Sequence, residues 1–240
     1  MKTKKMRVLS ALTAIAFAGV MSPNAEAAGT NLDTHEATVQ LWIKSWNTAC
    51  SGVFVAPTII VTAKHCVVTD RENPVTHQSE EQVEQNIPVF KSYASADGTP
   101  ITTAEVLWYH SGSTRNNPDI AILRTSGYAN WNYAPIANIP PFVGDKLEVC
   151  GVANRNNLWG PAAESYCGEA TMTGTTNFPT DYILSKPLRT GNRDSGGPAY
   201  NAKGQVVGIT HGDDYESNYS TPISNDLVRY HLSIHGAVFQ

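Results

Sequence analysis

The sequence of 240 residues lacks an apolar run of the roughly 18 or more residues that a membrane-spanning helix needs. The longest candidate, residues 8–21, is shorter; it follows a basic segment at residues 1–7 and precedes Ala25-Glu26-Ala27. This order is typical of a signal peptide cleaved after residue 27, with a membrane anchor as the disfavoured alternative. We therefore expect a secreted protein, extracellular or periplasmic, that makes no membrane contact.

Positive charge is also scarce in this chain. It has 17 Lys and Arg against 21 Asp and Glu, a formal net charge of −4 at pH 7. Loss of the signal peptide would remove four basic residues and one acidic residue and take the net charge to −7. Because no basic run remains, we expect no binding to nucleic acid or to an anionic membrane surface.

Cysteines are few, namely Cys50, Cys66, Cys150 and Cys167. None has CxxC spacing and no HExxH string is present, which argues against zinc, and we expect no metal and no cofactor. An even number of cysteines in an exported chain indicates two disulfides. The cysteine positions alone leave three pairings open.

Helical periodicity is nearly absent. Short β-prone runs are separated by Gly, Pro, Asn and Asp, which is typical of an all-β sandwich or barrel. The predicted strands are residues 39–43, 52–55, 58–62, 120–123, 146–151 and 206–210. One helix is predicted at residues 225–235, with Ser224 or Asn225 as its cap. Its common face carries Leu227, Val228, His231 and Leu232.

Two longer segments show neither β-prone apolar runs nor helical periodicity. Residues 70–86 are polar and charged, which favours a solvated surface loop. A calcium-binding loop is the alternative, but the spacing of the glutamates does not match an EF-hand. Residues 129–145 carry three prolines and weak periodicity, which predicts a segment that crosses between two halves of the protein.

Three residues have the chemical types that acyl transfer by a serine requires. A serine hydroxyl needs a neutral imidazole to accept its proton and a buried carboxylate to orient that imidazole. Ser195 precedes two glycines that permit a tight turn and close approach of a substrate. His65 follows an apolar strand, and Asp119 begins another, where a buried carboxylate requires a partner. Each segment taken alone is compatible with a turn or a surface site, whereas together they predict nucleophile, base and orienting acid.

The order His65, Asp119, Ser195 and the strings around these residues resemble the chymotrypsin/trypsin family of serine proteases. The matching strings are Cys50-Ser51-Gly52, Thr62-Ala63-Lys64-His65-Cys66, Asp119-Ile120-Ala121-Ile122-Leu123 and Asp194-Ser195-Gly196-Gly197-Pro198. The resemblance implies an all-β fold of two six-stranded antiparallel β-barrels with a C-terminal α-helix and the active site in the cleft. It also implies a monomeric serine endopeptidase that forms an acyl-enzyme with protein or peptide substrates and is open to protein inhibitors.

The same resemblance assigns parts of the chain to each half. Residues 28–134 would form the first barrel and supply the histidine and aspartate, and residues 135–240 would form the second barrel and supply the serine. A disulfide Cys50–Cys66 beside the catalytic histidine is a family feature. Cys150 and Cys167 are then left to join two strands of the second barrel.

The chain departs from the family pattern in two features that bear on Ser195 and its neighbours. The family has Gly two residues before the nucleophile, whereas this chain has Arg193. We expect the backbone N–H groups of Arg193 and Ser195 still to form the oxyanion hole, with the Arg193 side chain on the leaving-group side. The new N-terminus that pairs with the preceding aspartate in trypsin-type members has no counterpart string here. Asp194 therefore needs another cation, either the amine of Ala28 or, as we prefer, Arg155.

The predicted specificity pocket lacks the acidic residue of trypsin. Arg189 stands at that position, so specificity for Lys or Arg is not expected. Thr190 and the segment after Ser195 resemble bacterial glutamyl endopeptidases, although His211 is shifted by one residue from their pocket histidine. Arg189, or Thr190 with His211, would bind an acidic side chain; a pocket for small or polar residues is the alternative.

Two rival functions fit the sequence less well. A catalytically inactive homologue that acts as a binding protein would usually have lost a triad residue, and none is lost here. An esterase-type hydrolase of another fold requires Gly two residues before the serine, where this chain has Arg193.

Overall fold

The computed structural model describes residues 36–91, 99–112, 117–153, 164–176, 181–185, 193–214 and 216–240. The elements of the first part are β1 (Thr38–Ile43), β2 (Thr48–Ala56), β3 (Ile59–Thr62), α1 (Lys64–Val67), β4 (Val68–Glu72), β5 (Ser79–Val83), β6 (Ile87–Lys91), β7 (Thr102–Tyr109) and β8 (Ala121–Thr125). Those of the second part are β9 (Lys146–Ala153), β10 (Glu164–Thr175), β11 (Tyr182–Ser185), β12 (Pro198–Tyr200), β13 (Val206–Asp213), β14 (Ser217–Pro222) and α2 (Asp226–Ile234). Every predicted strand overlaps an observed one.

The strands close into two antiparallel barrels of six strands each. The first has the order β1-β2-β3-β8-β7-β6 and the second the order β10-β11-β14-β13-β12-β9. This confirms the fold class that the resemblance implies. In the segment between the barrels, the N–H of Ala134 donates to Phe54 O and the N–H of Ala137 donates to Val206 O. The chain thus passes from one barrel to the other near the domain boundary predicted after residue 134, which itself stays a prediction.

Alternation along the strands buries both of their faces. In β2, Phe54 packs in the interior of the first barrel, whereas Val53 and Val55 pack against residues of the second barrel. Ile60 and Val61 of β3 divide in the same way. Successive side chains of a strand point to opposite faces, and both faces here meet apolar neighbours. These strands therefore appear in the sequence as continuous apolar runs.

The prediction of a surface loop at residues 70–86 is wrong for residues 70–72 and 79–83, which form strands. β4 and β5 pair antiparallel as a separate two-stranded sheet, with Asp70 opposite Glu81. Asn73 closes the turn, because its side-chain oxygen accepts hydrogen bonds from the N–H groups of Val75 and Thr76. β5 has no fully buried residue, so apolar periodicity could not reveal it.

The predicted helix is present as α2, and Asn225 is its cap. The Asn225 side chain accepts hydrogen bonds from the N–H groups of Leu227 and Val228. Val228 and Leu232, four residues apart, are buried between the barrels. Leu227 is 46% exposed, which corrects its predicted place on the buried face; one residue turns the helix by about 100°. No helix in the described part of the chain has the length and apolarity needed to cross a membrane.

Candidate active site

His65 and Asp119 meet because the strands that precede and follow them are neighbours. Thr62 at the end of β3 pairs with Ala121 at the start of β8. His65 lies three residues after the first of these positions, in α1, and Asp119 lies two residues before the second. The barrel register thus brings both residues to one edge of the sheet.

The contact between them uses both carboxylate oxygens of Asp119. Oδ2 lies 2.6 Å from Nδ1 of His65, and Oδ1 accepts the backbone N–H of His65 at 2.9 Å. Burial by itself would raise the pKa of Asp119, but the hydrogen bonds and charge of His65, together with the charge of His211, lower it below its usual value. Asp119 is therefore an ionised carboxylate that fixes both the ring and the backbone of His65.

Ser195 belongs to the second barrel and reaches the same place through the backbone. Its carbonyl oxygen accepts the N–H of Ser51 in β2 at 2.8 Å. The Sγ atom of Cys66 lies 3.6 Å from that carbonyl oxygen and 3.9 Å from Nε2 of His65. The backbone of Ser195 is thus bound to the first barrel, and Cys66 Sγ lies near both Ser195 and the His65 imidazole.

Two glycines after Ser195 permit this close packing. Gly196 has φ +87°, and a Cβ atom there would collide with the carbonyl oxygen of Ser51 and with Oγ1 of Thr62. Its N–H donates to Thr210 O at 2.7 Å, and the N–H of Thr210 donates to Gly197 O at 2.8 Å. These bonds fix the residues that follow Ser195 to strand β13.

Both predicted disulfides are present. Cys50–Cys66 joins β2 to α1, and Cys150–Cys167 joins directly paired residues of β9 and β10. The first closes a loop with a sequence separation of 16 residues, which stabilises the fold by about 3 kcal/mol in the chain-entropy model. Two groups of potential metal-ligand atoms occur among the described residues, and each contains two of these cysteines. Disulfide sulfurs are not thiolate ligands, so neither group is a candidate metal centre.

The profile of the trypsin-like peptidase domain matches residues 50–209 of this sequence. The chain belongs to this family. The match spans the segments of His65, Asp119 and Ser195, and most of both barrels.

Solved structures of the trypsin-like peptidase fold resemble this one over most of its length. A Glu endopeptidase in complex with MPD has a TM-score of 0.62 at 15% identity and covers 87% of this chain and 95% of its own. The active form of the Rv3671c protease from M. tuberculosis has a TM-score of 0.60 at 19% identity, with 86% and 84% covered. Mouse neuropsin has 0.59 at 19% identity, with 84% and 96% covered. A search of curated protein sequences gives no match.

Arg193 adopts a backbone conformation that normally belongs to glycine. Its φ is +89°, in the left-handed region. The Ser51 hydroxyl donates to Arg193 O at 3.0 Å and accepts the N–H of Val152 at 2.8 Å. These bonds hold the peptide in place against a conformational cost of about 1–2 kcal/mol. The arginine therefore does not prevent the turn, and its role as an oxyanion donor stays a prediction.

Replacing Arg193 by Gly should relieve that strain with little effect on catalysis. We expect Arg193→Gly to raise the free energy of unfolding by up to about 1 kcal/mol and to change kcat by less than about tenfold. Chemical denaturation and steady-state kinetics measure the two effects. Asn47→Gly is the matched control, since Asn47 has φ +50° in the exposed turn between β1 and β2. A rise in turnover by orders of magnitude would mean that Arg193 distorts the oxyanion hole.

Asp194 is buried, and the hydroxyl of Tyr166 donates a hydrogen bond to its Oδ2. The predicted partners Arg155 and Ala28 lie outside the described residues, so that prediction is untested. Gly151 leaves the space that Asp194 occupies, because a Cβ atom there would overlap the Asp194 carboxylate. Tyr166 was not predicted; its position next to Cys167 was the available signal.

Of the predicted pocket residues, only His211 can be described. Arg189 and Thr190 lie outside the described residues. His211 lies in β13, and its Nε2 is 3.2 Å from Oδ2 of Asp181, a contact that sequence reasoning did not predict. Lys64 was also missed: it is buried beside His65, and its Nζ donates to Glu81 and to Gly112 O. A lysine between an apolar strand and the histidine was a sign of such a buried ion pair.

Proposed function

We propose that this protein is a secreted serine endopeptidase that cleaves peptide bonds through an acyl-enzyme. The main support for the proposal is that both carboxylate oxygens of Asp119 contact His65, one at its backbone N–H and one at Nδ1, within a trypsin-like peptidase domain. The contact with Oδ2 favours the tautomer of His65 that has its proton on Nδ1, so that Nε2 is the proton acceptor. His65, Asp119 and Ser195 form the catalytic triad of this proposal.

The reaction divides into two acyl transfers. Nε2 of His65 accepts the hydroxyl proton of Ser195 as Oγ bonds to the substrate carbonyl carbon. The backbone N–H groups of Arg193 and Ser195 stabilise the resulting oxyanion. His65 then gives its proton to the leaving amine as the C–N bond breaks, and water releases the acyl group by the same route.

Secretion and partners complete the proposal. Residues 1–27 would be removed as a signal peptide, and the two disulfides fit an oxidising compartment. The substrates would be proteins or peptides bound by a monomeric enzyme, and protein protease inhibitors would bind the same cleft. An inactive homologue is not favoured, because all three triad residues are present.

We propose that the enzyme does not prefer to cleave after Lys or Arg, because Arg189 would repel a basic side chain. A more specific proposal is a preference for Glu or Asp, whose side chain would contact Arg189, Thr190 and His211. The fold similarity to a Glu endopeptidase is compatible with it. A preference for small or polar residues is the competing outcome.

Labelling with a fluorophosphonate tests the proposed chemistry. We expect the probe to form a covalent bond to Ser195 in the purified protein and to label His65→Ala at a rate lower by at least about 10³-fold, because the base is lost. His77→Ala, in the exposed turn between β4 and β5, is the matched control and should label normally. Intact mass and peptide mapping identify the modified residue. Absence of labelling in the native protein would favour the inactive homologue.

The same preparation then decides the specificity. Digestion of a peptide mixture, followed by mass spectrometry of the products, gives the residue on the amino side of each cleaved bond. We expect few cleavages after Lys or Arg. Enrichment of Glu and Asp would support the acidic pocket, and enrichment of Ala, Ser or Gly would support the competing one.

A further inference from the structure

A second carboxylate–imidazole pair lies beside the proposed triad. Asp181 precedes β11, and its backbone is fixed by Thr176, whose N–H donates to Asp181 O at 2.9 Å and whose Oγ1 accepts the Asp181 N–H at 2.8 Å. The Asp181 side chain is 6% exposed and its Oδ2 lies 3.2 Å from Nε2 of His211. A buried carboxylate is costly unless a cation neutralises it. Among the described residues, the adjacent imidazole of His211 is the group placed to supply this positive charge.

A bulge in β13 brings His211 to this position. The pairing of β13 with β14 shifts between Thr210 and Gly212, so that His211 is the extra residue. Bulges commonly redirect a side chain near an active site. Because the backbone of Thr210 is hydrogen-bonded to Gly196 and Gly197, the next residue along the strand lies close to the nucleophile segment.

Three titratable groups on other elements lie near His211 or influence its charge. Asp181 precedes β11, Asp119 comes from the first barrel, and the Tyr219 ring of β14 lies 6.3 Å away with its hydroxyl donating to Asp214. Burial would lower the pKa of His211, but contact with Asp181 and the charges of Asp181 and Asp119 raise it. Reciprocally, the charge of His211 is among the causes that lower the pKa of Asp119.

The triad alone does not neutralise Asp119 in the resting enzyme. His65 must be neutral to accept the proton of Ser195, so the buried Asp119 carboxylate then has no cation within the triad. His211 supplies one from the second barrel. The resulting order of charges is Asp181 negative, His211 positive, Asp119 negative and His65 neutral.

We propose that Asp181 holds His211 as an imidazolium, and that this charge keeps Asp119 ionised, and with it the triad in its active state, at lower pH. In this inference Asp181 and His211 are positioning residues, since they act through Asp119; the contact of His211 with an acidic substrate side chain is a separate proposal. The imidazolium favours the ionised carboxylate of Asp119. The inference rests on the proposed function for its effect on catalysis, but not for the charge pair itself.

NMR titration and a kinetic pH profile test the two parts separately. The imidazole signal of His211 is the one that is absent from the spectrum of His211→Gln. In the wild-type protein this signal should titrate above pH 6.5, the approximate value of an ordinary histidine. In Asp181→Asn it should titrate at lower pH, and Asp181→Glu should restore the wild-type behaviour. In His211→Gln we expect the acidic limb of kcat/KM to move up by about one pH unit, which lowers activity about tenfold at the acid end.

Glu169→Gln is the matched control. It removes a carboxylate from β10 whose ion pair with Lys146, at 2.8 Å, is exposed, and it should leave both readouts unchanged. An unchanged His211 titration in Asp181→Asn would overturn the charge pair. An acidic limb in His211→Gln that coincides with wild type would overturn its effect on the triad. A wild-type protein that neither hydrolyses peptides nor labels would refute the proposed function, while the titration alone would still decide the pair.

Discussion

Replacing Asp119 by Asn should lower kcat by about 10⁴-fold while the protein stays folded. In the native site, Oδ1 accepts the His65 backbone N–H and Oδ2 faces Nδ1. An asparagine has one oxygen. If that oxygen keeps the backbone hydrogen bond, its NH₂ group faces Nδ1 and forces the ring proton onto Nε2. The imidazole then cannot accept the proton of Ser195, so the loss appears in kcat.

Steady-state kinetics on a cleavable peptide, with thermal unfolding alongside, measure the effect of Asp119→Asn. Asp226→Asn is the control, because Asp226 lies exposed in the first turn of α2 and should change neither value appreciably. A kcat within about tenfold of wild type, in a folded Asp119→Asn protein, would show that Asp119 does not orient the base.

The contact between His65 and Asp119 was predictable because it depends on local strings and a strand pairing that the family shares. Each residue adjoins an apolar strand, and the two strands are neighbours in the barrel. The Cys50–Cys66 disulfide was predictable for the same reason, since it joins β2 to the histidine segment.

The pair of Asp181 and His211 could not be predicted from the sequence. β11 and β13 are separated by β14 in the barrel, so the contact reaches across an intervening strand, next to the bulge in β13. Neither residue lies in a string that indicates an ion pair. The hairpin of β4 and β5 escaped prediction for another reason: only Val68 and Val83, which pair at its base, join the core, and the other residues of both strands are polar. Part of the support for the hairpin comes from the buried Lys64 through Glu81.

The backbone conformation at residue 193 could not be predicted from the sequence, for a third reason. An arginine at this position predicts either a changed turn or a strained one, and only the backbone decides between them. The observed φ of +89° shows that the contacts of Ser51 and the nucleophile segment override the preference of the side chain. Tertiary packing therefore determines the turn that local propensity disfavours.

Among the substitutions predicted in this protein, Gly196→Ala should cause the largest loss of stability. Two costs add at this position: a left-handed φ of +87°, about 1–2 kcal/mol for a residue with a Cβ atom, and overpacking against Ser51 and Thr62, about 1–3 kcal/mol or more. We expect the free energy of unfolding to fall by about 3 kcal/mol or more. Because the segment of Ser195 must move to admit the methyl group, fluorophosphonate labelling should be lost as well.

Gly144→Ala separates the two costs of Gly196→Ala. Gly144 has φ +98°, but nothing lies within 4 Å of a Cβ atom built there. It should lose only the conformational part, about 1–2 kcal/mol, and label normally. Chemical denaturation of both variants measures the difference, which is the cost of forcing the nucleophile segment away from the first barrel. Equal losses in the two variants would mean that the barrels separate easily at this contact, and that Ser195 is not held against β2 by close packing.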